Sequence, residues 1–122
     1  MADPKRVLVV EDDESIRHVM DIILSAEGYE VMTAPDGQAA LDAIMRAPPD
    51  LILLDMKMPR MNGMEFVKSY RQAHNSPAPI VVFTALEDPE QWVQDIQAAA
   101  FLPKPFDLNH LLQVVHKYAN CL

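Results

Sequence analysis

The sequence LILLD (residues 51–55) decides the fold, because four consecutive apolar residues end on a single carboxylate, Asp55. A strand that is apolar on both faces is typical of a parallel sheet covered by helices on each side. Similar runs, VLVV (7–10) and IVVF (80–83), lie on either side of it in the chain. These runs predict three central strands of one sheet, and weaker signals at 29–33 and 101–103 predict two more.

Segments with a helical spacing of apolar residues lie between and after these strands, around residues 16–23, 40–44, 63–70, 93–96 and 108–115. Gly28 predicts the end of the first helix, and Asp107 predicts the start of the last. The alternation predicts an α/β fold, in which a doubly wound, five-stranded parallel sheet is flanked by five helices. Residues 1–122 are expected to form a single domain.

The composition is that of a globular protein, with 50% hydrophobic and 23% charged residues. A formal net charge of -8 argues against direct nucleic-acid binding and against an anionic membrane surface. No apolar run approaches the ~20 residues that cross a bilayer. Cys121 is the only cysteine, so an internal disulfide cannot form and a cytoplasmic location is expected.

Polar residues that follow the predicted strands indicate a site at one edge of the sheet. Open parallel sheets bind ligands beyond the carboxyl ends of their strands, where the winding reverses. The polar side chains expected at this edge are Glu11, Asp12, Asp13, Asp55, Thr84 and Lys104.

The charges at this edge predict a divalent cation. Two carboxylates about 4 Å apart repel each other by about 4 kcal/mol at an effective dielectric constant of roughly 20, so a compensating charge is needed. Mg²⁺ prefers carboxylates, water and phosphate oxygens. The acids Glu11, Asp12 and Asp55 with Lys104 carry three negative charges and one positive, which one Mg²⁺ would neutralise. A phosphoryl group could then approach Asp55, which is a possible covalent nucleophile.

Four motifs together resemble the receiver domain of two-component response regulators: VVEDD (9–13), LLDMKMPRMNG (53–63), FTA (83–85) and PKPF (103–106). The resemblance runs from the first strand to the last helix. It implies a flavodoxin-like fold with strand order 2-1-3-4-5. It also implies a phosphoacceptor that is phosphorylated by a histidine kinase or a histidine phosphotransfer protein, and not a conventional enzyme.

The resemblance assigns roles to individual residues. Asp55 would be the phosphoacceptor, and Thr84 and Lys104 would bind phosphoryl oxygens. The ligands of Mg²⁺, or of another divalent cation such as Mn²⁺, would be Glu11, Asp12, Asp55 and the backbone carbonyl of Lys57, with Asp12 the more direct ligand of the acidic pair.

The same resemblance implies a conformational switch. Thr84 and Phe101 would change position on phosphorylation, and a downstream effector protein or domain would bind the face made by the fourth predicted helix, the fifth strand and the last helix. A homodimer could use this face. Lys57 and Leu86 would border the site and predict slow self-dephosphorylation. The segment DIQAAAF (95–101) departs from the family, because it lacks the glycine that often precedes the last strand.

Other interpretations stay open at this point. Asp13 is suited to the start of a helix as well as to the site. A degenerate receiver would bind partners without phosphorylation. A haloacid-dehalogenase-like phosphatase would need a second acid where Lys57 stands, and a flavin-binding electron carrier would need a neutral loop where the acids after the first strand stand. The sequence leaves open whether the chain is a complete regulator or part of a longer one.

Overall fold

The structure is a computed structural model that describes residues 4–55, 63–73, 77–84, 97–104 and 107–119. The described residues form five strands and four helices, in the order β1 (Arg6–Val10), α1 (Glu14–Ala26), β2 (Glu30–Ala34), α2 (Gly37–Arg46), β3 (Leu51–Leu54), α3 (Gly63–Ala73), β4 (Ile80–Thr84), β5 (Ala100–Pro103) and α4 (Leu108–Ala119). Each predicted strand is confirmed to within one residue at either end. The helix predicted around residues 93–96 lies outside the described residues. Within the described ranges, none of the helices is long and apolar enough to cross a membrane.

The five strands are parallel and follow the order β2-β1-β3-β4-β5, which confirms the flavodoxin-like topology. The winding reverses between β1 and β3, which is where such sheets bind ligands. Val10 pairs with Leu54 at the carboxyl ends of these two strands. The N–H of Asp55 donates to the carbonyl of Val10 at 3.0 Å, and the N–H of Glu11 donates to that of Ala34 at 3.0 Å. The two acids therefore leave the sheet side by side.

Apolar side chains on the two faces of the sheet build two cores. In β1, Leu8 and Val10 pack beneath α2 and α3, whereas Val7 and Val9 pack beneath α1 and α4. All four side chains are fully buried, as are those of the LILL run in β3. Burial of each large apolar side chain stabilises the fold by about 1.5–3 kcal/mol. A strand buried on both faces cannot slip by one residue without loss of this packing, so the carboxyl ends of β1 and β3 are held in register.

The end of α1 follows the sequence prediction. Gly28 has a φ of +93°, in the left-handed region that favours glycine. Its N–H donates to the carbonyl of Ser25 at 3.0 Å, and the N–H of Tyr29 donates to that of Leu24 at 3.1 Å. This pair of bonds is a Schellman motif, which ends the helix and returns the chain to the sheet as β2.

Candidate functional site

Three carboxylates converge where the winding of the sheet reverses. One oxygen from each of Glu11, Asp12 and Asp55 lies within 4.8 Å of the others. Glu11 and Asp12 follow β1, and Asp55 follows β3, so the pairing of the two strands brings the acids together. The structure thus groups the three side chains that the sequence suggested as metal ligands.

Burial makes this cluster suited to a cation. Asp55 is 4% exposed and Glu11 is fully buried, whereas Asp12 is exposed. Oε2 of Glu11 has no hydrogen-bond partner among the described residues although it is buried. An unsatisfied buried polar atom costs about 1–3 kcal/mol, and more when the group is charged. A hard cation with oxygen ligands would satisfy it, so the residues present fit Mg²⁺.

Lys104 brings a positive charge into the cluster. Its Nζ lies 2.5 Å from Oε1 of Glu11 and 3.1 Å from Oδ2 of Asp55. The same ammonium lies 5.1 Å from the centre of the Phe83 ring, which is buried in β4. Only 17% of the lysine side chain is exposed, so water screens these attractions less than it would at the surface. The ammonium therefore occupies part of the space between the carboxylates.

The pKa values of the paired groups reflect this environment. Burial, reinforced by the neighbouring carboxylate of Asp55, raises the pKa of Glu11 to about 8, although Lys104 opposes the shift. For Lys104, burial favours the neutral amine, but the hydrogen bonds and charges of Glu11 and Asp55 outweigh burial and raise its pKa above the usual value. The lysine therefore stays charged, and Glu11 holds its proton more tightly than a free carboxyl group.

Asp13 caps α1 and is not one of the three clustered acids. Its Oδ1 accepts from the backbone N–H of Ser15 at 2.9 Å and of Ile16 at 3.2 Å. These are donors that the first turn of a helix otherwise leaves unsatisfied. The interpretation of Asp13 as a helix-start residue is confirmed.

Two residues that the sequence did not suggest contribute to the site. Phe83 lies beneath the ammonium of Lys104. Arg17, in the first turns of α1, donates from Nη1 to the carbonyl oxygens of Glu11 at 2.8 Å and of Asp12 at 3.0 Å. A buried aromatic residue and a helical arginine are common in any α/β protein, so neither carried a signal in the sequence.

The remaining predicted residues are placed only in part. Thr84 is the last residue of β4, and its side chain lies outside the described part of the chain. Phe101 lies in β5 and packs, half-buried, against the core beneath α2 and α3. Lys57 and Leu86 lie outside the described residues. The metal role of the Lys57 carbonyl and the switch roles of Thr84 and Phe101 stay predictions.

Comparison with known proteins identifies relatives for most of the chain. Residues 7–116 match the family described as the response regulator receiver domain. The chain is 41% identical over 111 residues to the response regulator MprA of Mycolicibacterium vanbaalenii, and 41% identical over 109 residues to that of Mycobacterium bovis. These alignments cover 89% and 88% of this chain but 48% and 47% of the relatives. The chain therefore spans about half the length of the curated relatives it matches.

Solved structures share the fold. The chemotaxis response regulator CheY4 of Vibrio cholerae superposes with a TM-score of 0.85 at 38% identity, over 94% of this chain and 98% of that chain. The response regulator protein TrrA of Thermotoga maritima, solved in complex with Mg(2+)-BeF, superposes with a TM-score of 0.82 at 32% identity, over 93% of this chain and 98% of that chain.

Proposed function

Because the chain belongs to the response regulator receiver domain family, we propose that it accepts a phosphoryl group on Asp55 in a Mg²⁺-dependent reaction. One observation carries the proposal: Asp55 is buried, lies 3.1 Å from the Lys104 ammonium and shares a cluster of acids with Glu11 and Asp12. A nucleophile, a set of cation ligands and a positive charge therefore lie in one site. The Mg(2+)-BeF complex of the Thermotoga maritima relative supports Mg²⁺ as the cation.

The proposed reaction is one phosphoryl transfer from a phosphohistidine of a histidine kinase or a histidine phosphotransfer protein. A carboxylate oxygen of Asp55 forms a bond to phosphorus while the P–N bond of the donor breaks. The electron pair of that bond stays on the imidazole nitrogen, and the product is an acyl phosphate on Asp55. Such a transfer depends mainly on positioning and on charge stabilisation.

The residues around Asp55 have separate roles in this proposal. When bound, Mg²⁺ would offset the repulsion between the carboxylates and the phosphoryl oxygens. Glu11, Asp12 and Asp55 would hold the cation, which Mn²⁺ could replace, and the carbonyl of Lys57 is the proposed backbone ligand. Lys104 would exchange a carboxylate contact for a phosphoryl oxygen. The hydroxyl of Thr84 would donate a hydrogen bond to a second phosphoryl oxygen.

Phosphorylation would then act as a charge switch. The acyl phosphate carries about -1.5 to -2 charges in place of the single negative charge of the carboxylate, at a position where Lys104 now binds two carboxylates. Movement of Lys104 and Thr84 toward the phosphoryl oxygens, with Phe101 following, would favour a second packing of β5 and α4. The proposed reader of this face is a downstream effector protein or domain, or a second copy of the chain. This signalling is proposed to take place in the cytoplasm.

Intact-mass measurement tests the proposal directly. The purified chain is incubated with a small acyl-phosphate donor, with and without Mg²⁺. We expect a gain of one phosphoryl group that requires both Mg²⁺ and Asp55, so that Asp55→Asn shows no gain. Asp42→Asn, on the exposed side of α2, is the matched control and keeps the gain. Following the mass after donor removal tests the predicted slow self-dephosphorylation, which a lifetime of seconds would contradict.

A degenerate receiver that binds its partner without phosphorylation is the second candidate function. It would give no mass gain with any variant, and its partner would bind wild type and Asp55→Asn equally. The presence of the acids and of Lys104 in one site favours phosphorylation, because a binding module has no need of a buried carboxylate cluster that costs stability.

A further inference from the structure

One arginine of α1 holds the segment that carries two of the three clustered acids. Nη1 of Arg17 donates to the carbonyl oxygens of Glu11 and Asp12, at 2.8 and 3.0 Å. The backbone N–H of Arg17 donates to the carbonyl of Asp13 at 3.0 Å. Three consecutive carbonyl groups between β1 and α1 therefore accept hydrogen bonds from a single residue.

These contacts matter most for Asp12. Glu11 is fully buried and its N–H is bonded to the carbonyl of Ala34 in the sheet, so packing and the sheet help to orient it. Asp12 is exposed, so packing does not orient its side chain. The direction in which its carboxylate leaves the chain depends on the orientation of its own peptide groups. Arg17 holds one of these through the Asp12 carbonyl.

We propose that Arg17 is a positioning residue for the metal site, which keeps the Asp12 carboxylate directed toward the cation. The inference rests on the proposed function and extends it to a side chain whose contacts are with backbone carbonyls and not with the carboxylates. Removing a residue that orients a metal ligand without contacting the metal typically lowers metal affinity by about 10–100-fold.

Positioning and simple electrostatics predict opposite results, which makes the proposal testable. The guanidinium is positive and repels a cation, so electrostatics alone predicts that its removal leaves Mg²⁺ binding unchanged or tighter. Glu14 and Asp21 line the same surface depression as Arg17. Loss of positioning predicts weaker binding.

The experiment measures the Mg²⁺ dissociation constant by titration calorimetry, without any phosphoryl donor. We expect Arg17→Met to weaken Mg²⁺ binding about tenfold. Arg17→Lys keeps the charge and one donor group, and we expect an intermediate loss. Arg46→Met removes the same charge from an exposed position in the last turn of α2 and is expected to leave the constant unchanged.

A double-mutant cycle with Asp12→Ala separates positioning from general destabilisation. If Arg17 acts through Asp12, Arg17→Met has no further effect on Mg²⁺ affinity once Asp12 is removed. In the phosphorylation assay, the Mg²⁺ concentration for half-maximal rate should rise about tenfold while the rate at saturating Mg²⁺ changes little.

Two results with a folded Arg17→Met variant would overturn the proposal: Mg²⁺ binding that is unchanged or tighter, or a loss of Mg²⁺ affinity that is equally large in the Asp12→Ala background. If Arg17→Met fails to fold, wild-type Mg²⁺ affinity of Arg17→Lys would overturn it instead. Thermal unfolding of each variant shows whether Arg17→Met is folded. If wild type itself binds no Mg²⁺, the metal step of the proposed function fails and this inference falls with it. If wild type binds and the arginine variants do not differ, only this inference fails.

Discussion

Nζ of Lys104 lies 3.1 Å from Oδ2 of Asp55, although 49 residues separate the two in the chain and β4 lies between the strands that carry them. The ring of Phe83, in that intervening strand, lies 5.1 Å from the ammonium. A cation near the face of an aromatic ring is attracted by about 0.5–2 kcal/mol. The carboxylates and the ring together hold the lysine across β4. In the proposed reaction, the same charge would be available to a phosphoryl group on Asp55.

Replacing Lys104 with Met should affect stability and metal binding in opposite directions. Without divalent cation, Asp55 loses its counterion and Glu11 loses a hydrogen-bond donor, so the free energy of unfolding should fall by about 1–3 kcal/mol. Mg²⁺ should bind more tightly, because the ammonium no longer competes for the same oxygens. Urea unfolding with and without Mg²⁺ measures both effects. Lys68→Met, at an exposed position of α3, serves as the control, and weaker Mg²⁺ binding by Lys104→Met would contradict the prediction.

The raised pKa of Glu11 predicts a pH dependence. Between the ordinary value of 4.5 and about 8, the folded chain holds a proton that the unfolded chain has released. In the absence of metal, its contribution to stability is therefore present below pH 4.5 and is lost as the pH rises through about 8. Mg²⁺ binding releases the proton, so affinity should rise with pH by up to about tenfold per unit until the pKa is passed.

Calorimetry below, near and above pH 8 checks this linkage. Glu11→Gln cannot release a proton, so its Mg²⁺ affinity should be weaker and nearly independent of pH over the same range. If the Mg²⁺ affinity of this variant still rose with pH as steeply as that of wild type, the titrating group would be one other than Glu11.

The adjacent acids Asp12 and Asp13 should respond differently to substitution. Asp13→Ala loses the helix cap and should lower the free energy of unfolding by about 1 kcal/mol, with Mg²⁺ affinity almost unchanged. Asp13→Asn keeps a capping oxygen and should restore most of the stability. Asp12→Asn should show the reverse pattern, with little change in urea unfolding and Mg²⁺ binding weakened by about tenfold or more. Equal losses of affinity at the two positions would disprove the division of roles.

Gln97 adopts a left-handed backbone, with a φ of +54°, in the segment that lacks the family's usual glycine. Arg71 donates to its carbonyl at 3.1 Å, a contact that glycine would retain. Gln97→Gly should therefore raise the free energy of unfolding by about 0.5–1 kcal/mol, because glycine enters this region without steric cost. Gly28→Ala tests the opposite change, from glycine to a residue with a side chain at a positive φ. The new methyl group meets no atom within 4 Å, so any loss of stability comes from the strained backbone conformation and not from a clash. Chemical denaturation of both variants checks the signs, and a less stable Gln97→Gly would refute the argument.

Local patterns in the sequence were sufficient for the strands and for the residues at their ends. LILLD predicts a buried strand ending on an acid, because four consecutive apolar residues can be satisfied only when both faces of a strand are covered. Gly28 predicted a helix end for the same kind of local reason, since few other residues adopt its backbone conformation. The strand order came from resemblance to a family, because hydrophobic patterning does not specify which strands are neighbours.

By itself, then, the sequence determined the α/β class, the strand boundaries and the set of acids and lysine at one edge of the sheet. Only the tertiary structure decided that Glu11 is buried with one oxygen unpartnered among the described residues, and that the Lys104 ammonium lies 3.1 Å from Asp55 across β4. The physical reason is that these contacts join residues that are far apart in the chain and become close only when the chain folds. Strand and helix formation depend on residues that are neighbours in the sequence. The burial of a carboxylate and its hydrogen-bond partners depend on which distant segments pack together, and the type of a single residue does not specify this.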